Sequence, residues 1–289
     1  VFIQTILKEA MKITEQAAIE MKKENIKEIV KEKYGSIASH SNLLMQQSCC
    51  GSSNCCGELE FRMIGDEYDG LEGHHPDADL GLGCGLPTAF AQLKKGDTVI
   101  DLGAGAGNDC FVARAVVGES GRVIGIDMTE AMIAKAQKNA RQLGFHNVEF
   151  ILGEIEELPL PDNIADVVIS NCVLNLVPDK EKAFNEIRRV LKPGGHFSIS
   201  DIVLKGNLPE NIRQDAEMYV GCVAGAMEKE AYLSVMRKSG LVNIAVQKEK
   251  QIAIPDESLL KYLKPSEMEA YKQSGNGIFS ITVYAEKEQ

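Results

Sequence analysis

Cys84 stands between two glycines in Gly81-Leu82-Gly83-Cys84-Gly85-Leu86-Pro87, just before a predicted short helix from about Thr88 to Leu93. A thiol framed by residues without side chains is open to reagents, and a helix N-terminus favours the thiolate; the other reading is a small residue tolerated in a turn. Cys172 follows Asn171 at the carboxyl end of a predicted strand, and Cys222 lies in Tyr219-Val220-Gly221-Cys222-Val223-Ala224-Gly225-Ala226. One such cysteine is often only a small buried hydrophobe. Three that share a crevice form a cage of soft ligands, which selects a thiophilic centre and leaves magnesium and calcium to oxygen donors. The adjacent pairs Cys49-Cys50 and Cys55-Cys56 do not have the spacing of zinc knuckles and read as mobile thiols, with zinc as the alternative. Cys110 reads as a core residue.

The facing partner of these thiols is Val99-Ile100-Asp101-Leu102-Gly103-Ala104-Gly105-Ala106-Gly107-Asn108-Asp109-Cys110. Its β-branched start predicts a buried parallel strand, and alternate glycines let the backbone turn and approach a ligand closely. The spacing is G-x-G-x-G, with Asp101 two residues before Gly103, where a carboxylate would oppose a pyrophosphate and favour a cationic cofactor. S-adenosylmethionine, with ammonium and sulfonium charges, suits Asp101. Asp127, twenty residues after Gly107, stands where an acid grips ribose hydroxyls, with Met128 beside it. Glu154 and Ile155 are expected near adenine, and Asn171 also falls at the cofactor. Each of these carboxylates has the simpler alternative of a helix cap or a solvated charge. Beside a sulfonium methyl donor, the thiol cage suits trivalent arsenic: three pyramidal As–S bonds leave a lone pair on one side, able to attack the methyl in line.

The elements that must position these residues alternate. Residues 1–34 predict two amphipathic helices, with Ile3, Ile6, Leu7, Ala10 and Met11 on one face and Ile26, Ile29, Val30 and Tyr34 on another, stopped by Gly35; their alternating Lys and Glu read as a solvated face without function. From Ser36 to about Pro76 a long loop or lid is predicted, His74 and His75 being water-exposed turn residues. Strands are predicted at Val123–Asp127, Val148–Leu152, Ala165–Ser170 and His196–Ile202. Between them lie a helix capped by Thr129 and another opened by Asp179 and stopped by Pro193-Gly194-Gly195. Leu204 to Ala226 reads as a lid inserted over the crevice, followed by a helix at Glu228–Ser239 and late strands at Asn243–Glu249 and Phe279–Glu286, the last antiparallel at or near an edge. The result is an α/β fold, a doubly wound, mostly parallel sheet of seven strands with its crevice beyond the strand carboxyl ends. Three segments are expected: 1–75, helices and the cysteine-rich loop; 76–205, the cofactor-binding core; and 206–289, the lid and the completion of the sheet.

Composition narrows the function. A chain of 289 residues, 44% hydrophobic and 25% charged, supports a sizeable core. A net charge of -11 argues against nucleic acid or an anionic membrane surface as partner and favours small-molecule work. No apolar run approaches the roughly 20 residues that span a bilayer, and no signal-peptide core is visible, so a cytoplasmic location is expected. Eight cysteines then imply metal, redox or nucleophile chemistry more than a disulfide framework.

The sequence resembles the arsenite S-adenosylmethionine methyltransferases, which are class I, Rossmann-like enzymes. The likeness rests on Gly83-Cys84-Gly85, Asp101 through Cys110, Gly125-Ile126-Asp127-Met128-Thr129, Ile169-Ser170-Asn171-Cys172-Val173-Leu174-Asn175-Leu176-Val177-Pro178-Asp179-Lys180, Arg189-Val190-Leu191-Lys192-Pro193-Gly194-Gly195, and Cys222 with Gly225-Ala226. The glycine loop and the Lys-Pro-Gly-Gly turn are shared with many methyltransferases; the Ser-Asn-Cys-Val run with Cys84 and Cys222 is far more specific. The resemblance implies that Cys84, Cys172 and Cys222 bind As(III) as substrate, with Cys56, or second Cys55, exchanging disulfides during the cycle. It implies Asp101 with the backbone of Gly103, Gly105 and Gly107 at the methionine moiety. It also implies arsenite or its thiol conjugates as the acceptor and a thiol reductant such as thioredoxin or glutathione as partner; set against the family, a short carboxyl-terminal extension is expected. Two alternatives stand beside it: methylation of a small organic, quinone-type acceptor, and a thiol-based metalloid or zinc sensor.

Overall fold

The computed structural model describes residues 24–39, 68, 70–206, 225–254 and 256–289. Cys49, Cys50, Cys55, Cys56 and Cys222, the first predicted helix and most of the predicted lid lie outside the described residues. Runs of Val, Ile and Leu buried on both faces make the central strands: in β1 (Thr98–Leu102), Val99, Ile100 and Leu102 are wholly buried. β1 pairs in parallel with β2 (Arg122–Asp127) and with β4 (Ala165–Asn171); β2 pairs with β3 (Val148–Leu152), and β4 with β5 (Leu191–Lys205), again in parallel. β7 (Gly277–Lys287) runs antiparallel between β5 and the edge strand β6 (Leu241–Ile252), giving the order β3-β2-β1-β4-β5-β7-β6.

This order places the site. The chain moves outward from β1 to β3, then crosses back to β4 on the other side of β1. The strand direction of travel reverses between β1 and β4, and a crevice opens at their carboxyl ends. The glycine loop leaves β1 there, and Asn171-Cys172 leaves β4 there. Helices cover both faces: α1 (24–39), α2 (Pro87–Phe90), α3 (Asn108–Val117), α4 (Glu130–Leu143), α5 (Lys180–Val190), α6 (Lys229–Lys238), α7 (Asp256–Leu260) and α8 (Pro265–Gln273). One face of the sheet is filled by Phe184, Ile187, Phe197, Tyr232 and Met236, the other by Phe111, Val117, Ile133 and Phe150.

The structure departs from the sequence reading in several places. Gly35 does not stop the helix, which runs on through residue 39, where the Ser39 hydroxyl donates to Gly35 O at 2.9 Å. α5 already ends at Val190, because Leu191 is extended two residues before Pro193, and β5 therefore starts at Leu191 rather than His196. Thr129 occupies the N-cap position of α4 but its hydroxyl makes no cap bond. His74 and His75 are partly buried rather than water-exposed: His74 lies against the Tyr68 ring and contacts Asp79 at 3.2 Å. α7 and α8 were not anticipated, their short apolar spacing being too weak a pattern.

Candidate active site

The glycine loop is folded onto β2 by its own backbone: the N–H groups of Gly103 and Ala104 both donate to Ile126 O, at 2.8 and 2.9 Å. Gly103, Gly105 and Gly107 all have positive φ, +69°, +52° and +100°. A Cβ on Gly105 would touch nothing, because it would face an open cavity. Asp101, Gly103, Gly105, Asn108, Asp127, Met128, Glu154, Ile155, Asn171 and Cys172 all line that cavity. Gly107, the third glycine, sits behind the wall: a Cβ there would strike Phe111 and Phe150. Asp127 is held by two backbone donors, Gly105 N at 3.0 Å and Thr129 N at 2.8 Å. Burial raises its pKa, against the opposing pull of those donors.

Acidity dominates the floor of the cavity. Asp101 and Asp109 are both buried, and Cys110 donates its thiol hydrogen to Asp101 Oδ2 at 3.2 Å. Cys110 is thus a core residue that also hydrogen-bonds the loop. Burial, and after it the charge of Asp109, pushes Asp101 well above the ordinary carboxylate range. Burial likewise pushes Asp109 up to about 6, opposed by donors from Tyr68 and Asn171. Among the described residues no cation is hydrogen-bonded to either acid. Asn108 Oδ1, also at the cavity, is buried without a partner there. Two buried carboxyl groups and an acceptor with no partner among the described residues, beside an open glycine turn, suit a cationic, adenosyl-sized cofactor, whose charge would favour their ionised form, and would oppose a pyrophosphate.

α1 closes one side of the cavity with Lys27, Val30 and Tyr34. Lys27 Nζ reaches Glu154 at 2.7 Å and Glu156 at 2.6 Å, and Lys31 reaches Glu154 at 3.3 Å. Burial alone would lower the Lys27 pKa, but its hydrogen bonds to the two glutamates outweigh burial and raise it. The Lys27 hydrogen bond in turn holds Glu154 below the usual range. The alternating charges of this helix are therefore not merely a solvated face: two of its lysines clasp the segment that follows β3.

The structure also brings together Cys84 and Cys172, both buried, with a residue the sequence reading missed. The two sulfur atoms and a carboxylate oxygen of Asp201 lie within 4.8 Å of one another. Cys172 holds φ = +62°, a conformation costly for a residue with a Cβ, and its N–H donates to Ser200 O at 2.8 Å. Cys84 is clamped through its backbone: its N–H donates to Asn171 Oδ1 at 3.0 Å and its C=O accepts from Ser280 Oγ at 2.6 Å. The flanking glycines are required by close approach, since a Cβ on Gly83 would come within 2.6 Å of Asn171 Nδ2 and one on Gly85 within 2.6 Å of Ser200 Oγ. Asn171 also donates to Tyr68 Oη, 2.6 Å, Gly85 O, 2.9 Å, and Asp109, 3.2 Å. It therefore ties the thiol loop to the acids under the glycine turn, and it also lines the cavity. Asp201 is wholly buried; burial pushes it up to about 7, opposed by the charge of Lys180 and by a 3.0 Å bond from the Tyr232 hydroxyl. Cys222 lies outside the described residues, but Ala226, four residues on, packs in the same cluster as Cys84 and Cys172.

A glycine turn at the switch point of a seven-stranded sheet, with an acid at the end of β2, defines a class I S-adenosylmethionine-dependent methyltransferase, and residues 93–240 match the family model described as a methyltransferase domain. The chain is 40% identical over 276 residues to an arsenite methyltransferase of Halobacterium salinarum, covering 91% of this chain and 67% of that protein. It is 35% identical over 244 residues to one of Aquipseudomonas alcaligenes, covering 82% and 68%. The chain belongs to the arsenite methyltransferase family, and its cofactor is S-adenosylmethionine. The fold is similar, with a TM-score of 0.56 and 35% identity, to the crystal structure of an arsenic(III) S-adenosylmethionine methyltransferase from Chlamydomonas reinhardtii, covering 69% of this chain and 65% of that one. The chain thus spans about two thirds of the length of these relatives. Among the described residues no helix is long and apolar enough to cross a membrane.

Proposed function

We propose that this chain transfers the methyl group of S-adenosylmethionine to trivalent arsenic held by Cys84, Cys172 and Cys222. The observation that carries this reading is the pair of buried sulfurs of Cys84 and Cys172, close enough for one thiophilic atom to bond both, with Cys172 in the wall of the cavity. The cofactor supplies a sulfonium methyl that leaves without acid catalysis. The chain supplies the rest. Asp101 and the loop backbone hold the methionine end, Asp127 the ribose, and Met128, Glu154 and Ile155 the adenine side, with α1 shutting out water. Thiolate affinity fixes the arsenic so that its lone pair faces the methyl, and no base is needed at arsenic.

Transfer oxidises arsenic formally from the trivalent to the pentavalent state. Return to As(III) then takes two electrons from a thiol pair, and we assign disulfide exchange to Cys56, or second Cys55, with a reductant such as thioredoxin or glutathione restoring the thiols. The division into 1–75, 76–205 and 206–289 follows the same roles: lid and exchange thiols, donor core, acceptor lid with the closing strands. A cytoplasmic location suits such thiol chemistry. Arsenite retained after desalting, measured by elemental analysis, and cofactor binding, measured by calorimetry, test the assignment together. Cys172→Ser should lose arsenite and keep the cofactor; retention of arsenite at wild-type stoichiometry would refute the cage.

A further inference from the structure

Asp201 has no place in the donor or thiol chemistry above, yet it is wholly buried in the middle of β5, with a carboxylate oxygen within 4.8 Å of both Cys84 and Cys172 sulfurs. A charge in a sheet buried on both faces is costly and needs compensation. Part of that compensation is visible. The Tyr232 hydroxyl donates to Oδ2 at 3.0 Å, the backbone N–H groups of Ile202 and Asn175 donate as well, and Lys180 is the nearby cation. Lys180 itself is committed to Val177 O and Asn175 O at 3.2 and 3.4 Å, so it does not neutralise Asp201 by direct contact. These donors favour the ionised form against burial and leave the carboxyl group beside the two thiols.

Resting on the arsenic reading, we propose that Asp201 is a catalytic residue that stabilises the positive charge arriving on arsenic during methyl transfer. The arsenic lone pair forms the As–C bond, the C–S bond breaks with its electron pair retained by the departing thioether, and the cationic charge of the sulfonium passes to arsenic. Arsenic bonded to both sulfurs would lie beside the Asp201 carboxyl group, in a cluster with Ile202, Ala226, Ile252 and Ile278. The ionised carboxyl group there, in a low-dielectric surround, favours the product side of that charge migration, and being held in the strand it requires no reorganisation at the moment of reaction. It adds nothing to cofactor binding, because Asp201 does not line the cofactor cavity.

The test is Asp201→Asn, which keeps an acceptor for Tyr232 and removes the charge. Arsenite retained after desalting and cofactor affinity should match wild type, while single-turnover methyl transfer from the loaded enzyme falls about 10- to 100-fold. Wild-type transfer by a variant that binds both ligands would overturn the proposal. Loss of arsenite binding by a folded variant would also overturn it, by making Asp201 a part of site assembly. Should Asp201→Asn not fold, Asp201→Ser, smaller and likewise uncharged, must show the same selective loss of methyl transfer; wild-type transfer by that variant would overturn the proposal. Absence of any arsenic methylation by the wild-type enzyme would strike at the function itself and leave that outcome distinct from the others.

Discussion

Replacing Asn171 by Ala should uncouple the acceptor loop from the donor side. Its Oδ1 accepts from Cys84 N at 3.0 Å and Gly85 N at 3.3 Å, and Nδ2 faces Tyr68 Oη, Gly85 O and Asp109 Oδ2 at 2.6, 2.9 and 3.2 Å. Two amide hydrogens cannot serve three acceptors fully, so four hydrogen bonds are the effective number. At about 1 kcal/mol net each they amount to roughly 4 kcal/mol, and rehydration of the freed groups from the adjoining cavity reduces the expected loss to about 2–3 kcal/mol. Urea unfolding of the arsenite-free protein measures this directly. Arsenite affinity should fall about tenfold, which corresponds to about 1.4 kcal/mol of lost preorganisation of Cys84, while cofactor affinity changes less. Asn171→Asp should be worse above about pH 6, where it adds a second charge beside Asp109, itself at about 6. A loss below about 0.5 kcal/mol with arsenite binding unchanged would refute the coupling.

Three further outcomes follow from the same geometry. Asp109 is raised to about 6 in the folded chain, so the folded state holds its proton more tightly than the unfolded chain does. Its stabilising contribution is full below about pH 4 and is lost as pH rises to about 6; Asp109→Asn should gain about 1–3 kcal/mol relative to wild type between those limits, and parallel urea profiles would contradict this. Gly105→Ala should cost only about 1 kcal/mol of stability for its left-handed φ, yet weaken cofactor binding tenfold or more by calorimetry, because the new methyl stands in the cavity. Lys27→Ala removes the cation shared by Glu154 and Glu156 and should weaken cofactor binding about 3- to 10-fold; unchanged affinity would show that α1 does not shut the site.

Much of the donor side was readable from residue order alone. Alternating glycines after a β-branched run, an acid two residues before them and another at the end of the next strand leave few structures open, and β1, β2 and β3 fall close to their predicted positions. Cys84 stands out in the sequence because Gly83 and Gly85 frame it, although the physical cause of that frame, close approach of Asn171 and Ser200, comes from residues far along the chain. Asp201 and Tyr68 were invisible for the same reason: their significance lies in contacts across 31 and 41 residues or more, to Tyr232 and Asp109. One local signal did exist for Asp201, an acid inside a strand expected to be buried on both faces, flanked by Ile199 and Ile202. The role of Lys27 could not be read from helix periodicity, since ion-pair partners 127 and 129 residues away are set by tertiary packing alone. Pro193-Gly194-Gly195 misplaced the end of α5 because punctuation residues mark where a helix cannot continue, whereas this one stops earlier.

The most direct measurement is the fate of a labelled methyl group. Wild-type protein given methyl-labelled S-adenosylmethionine, arsenite and a thiol reductant should place the label in methylated arsenic separated by chromatography, and Cys172→Ser should place none there while still binding the cofactor. Label that never reaches arsenic in the wild-type reaction, or that reaches it at an undiminished rate in Cys172→Ser, would contradict the assignment of this chain's thiols to an arsenic acceptor site.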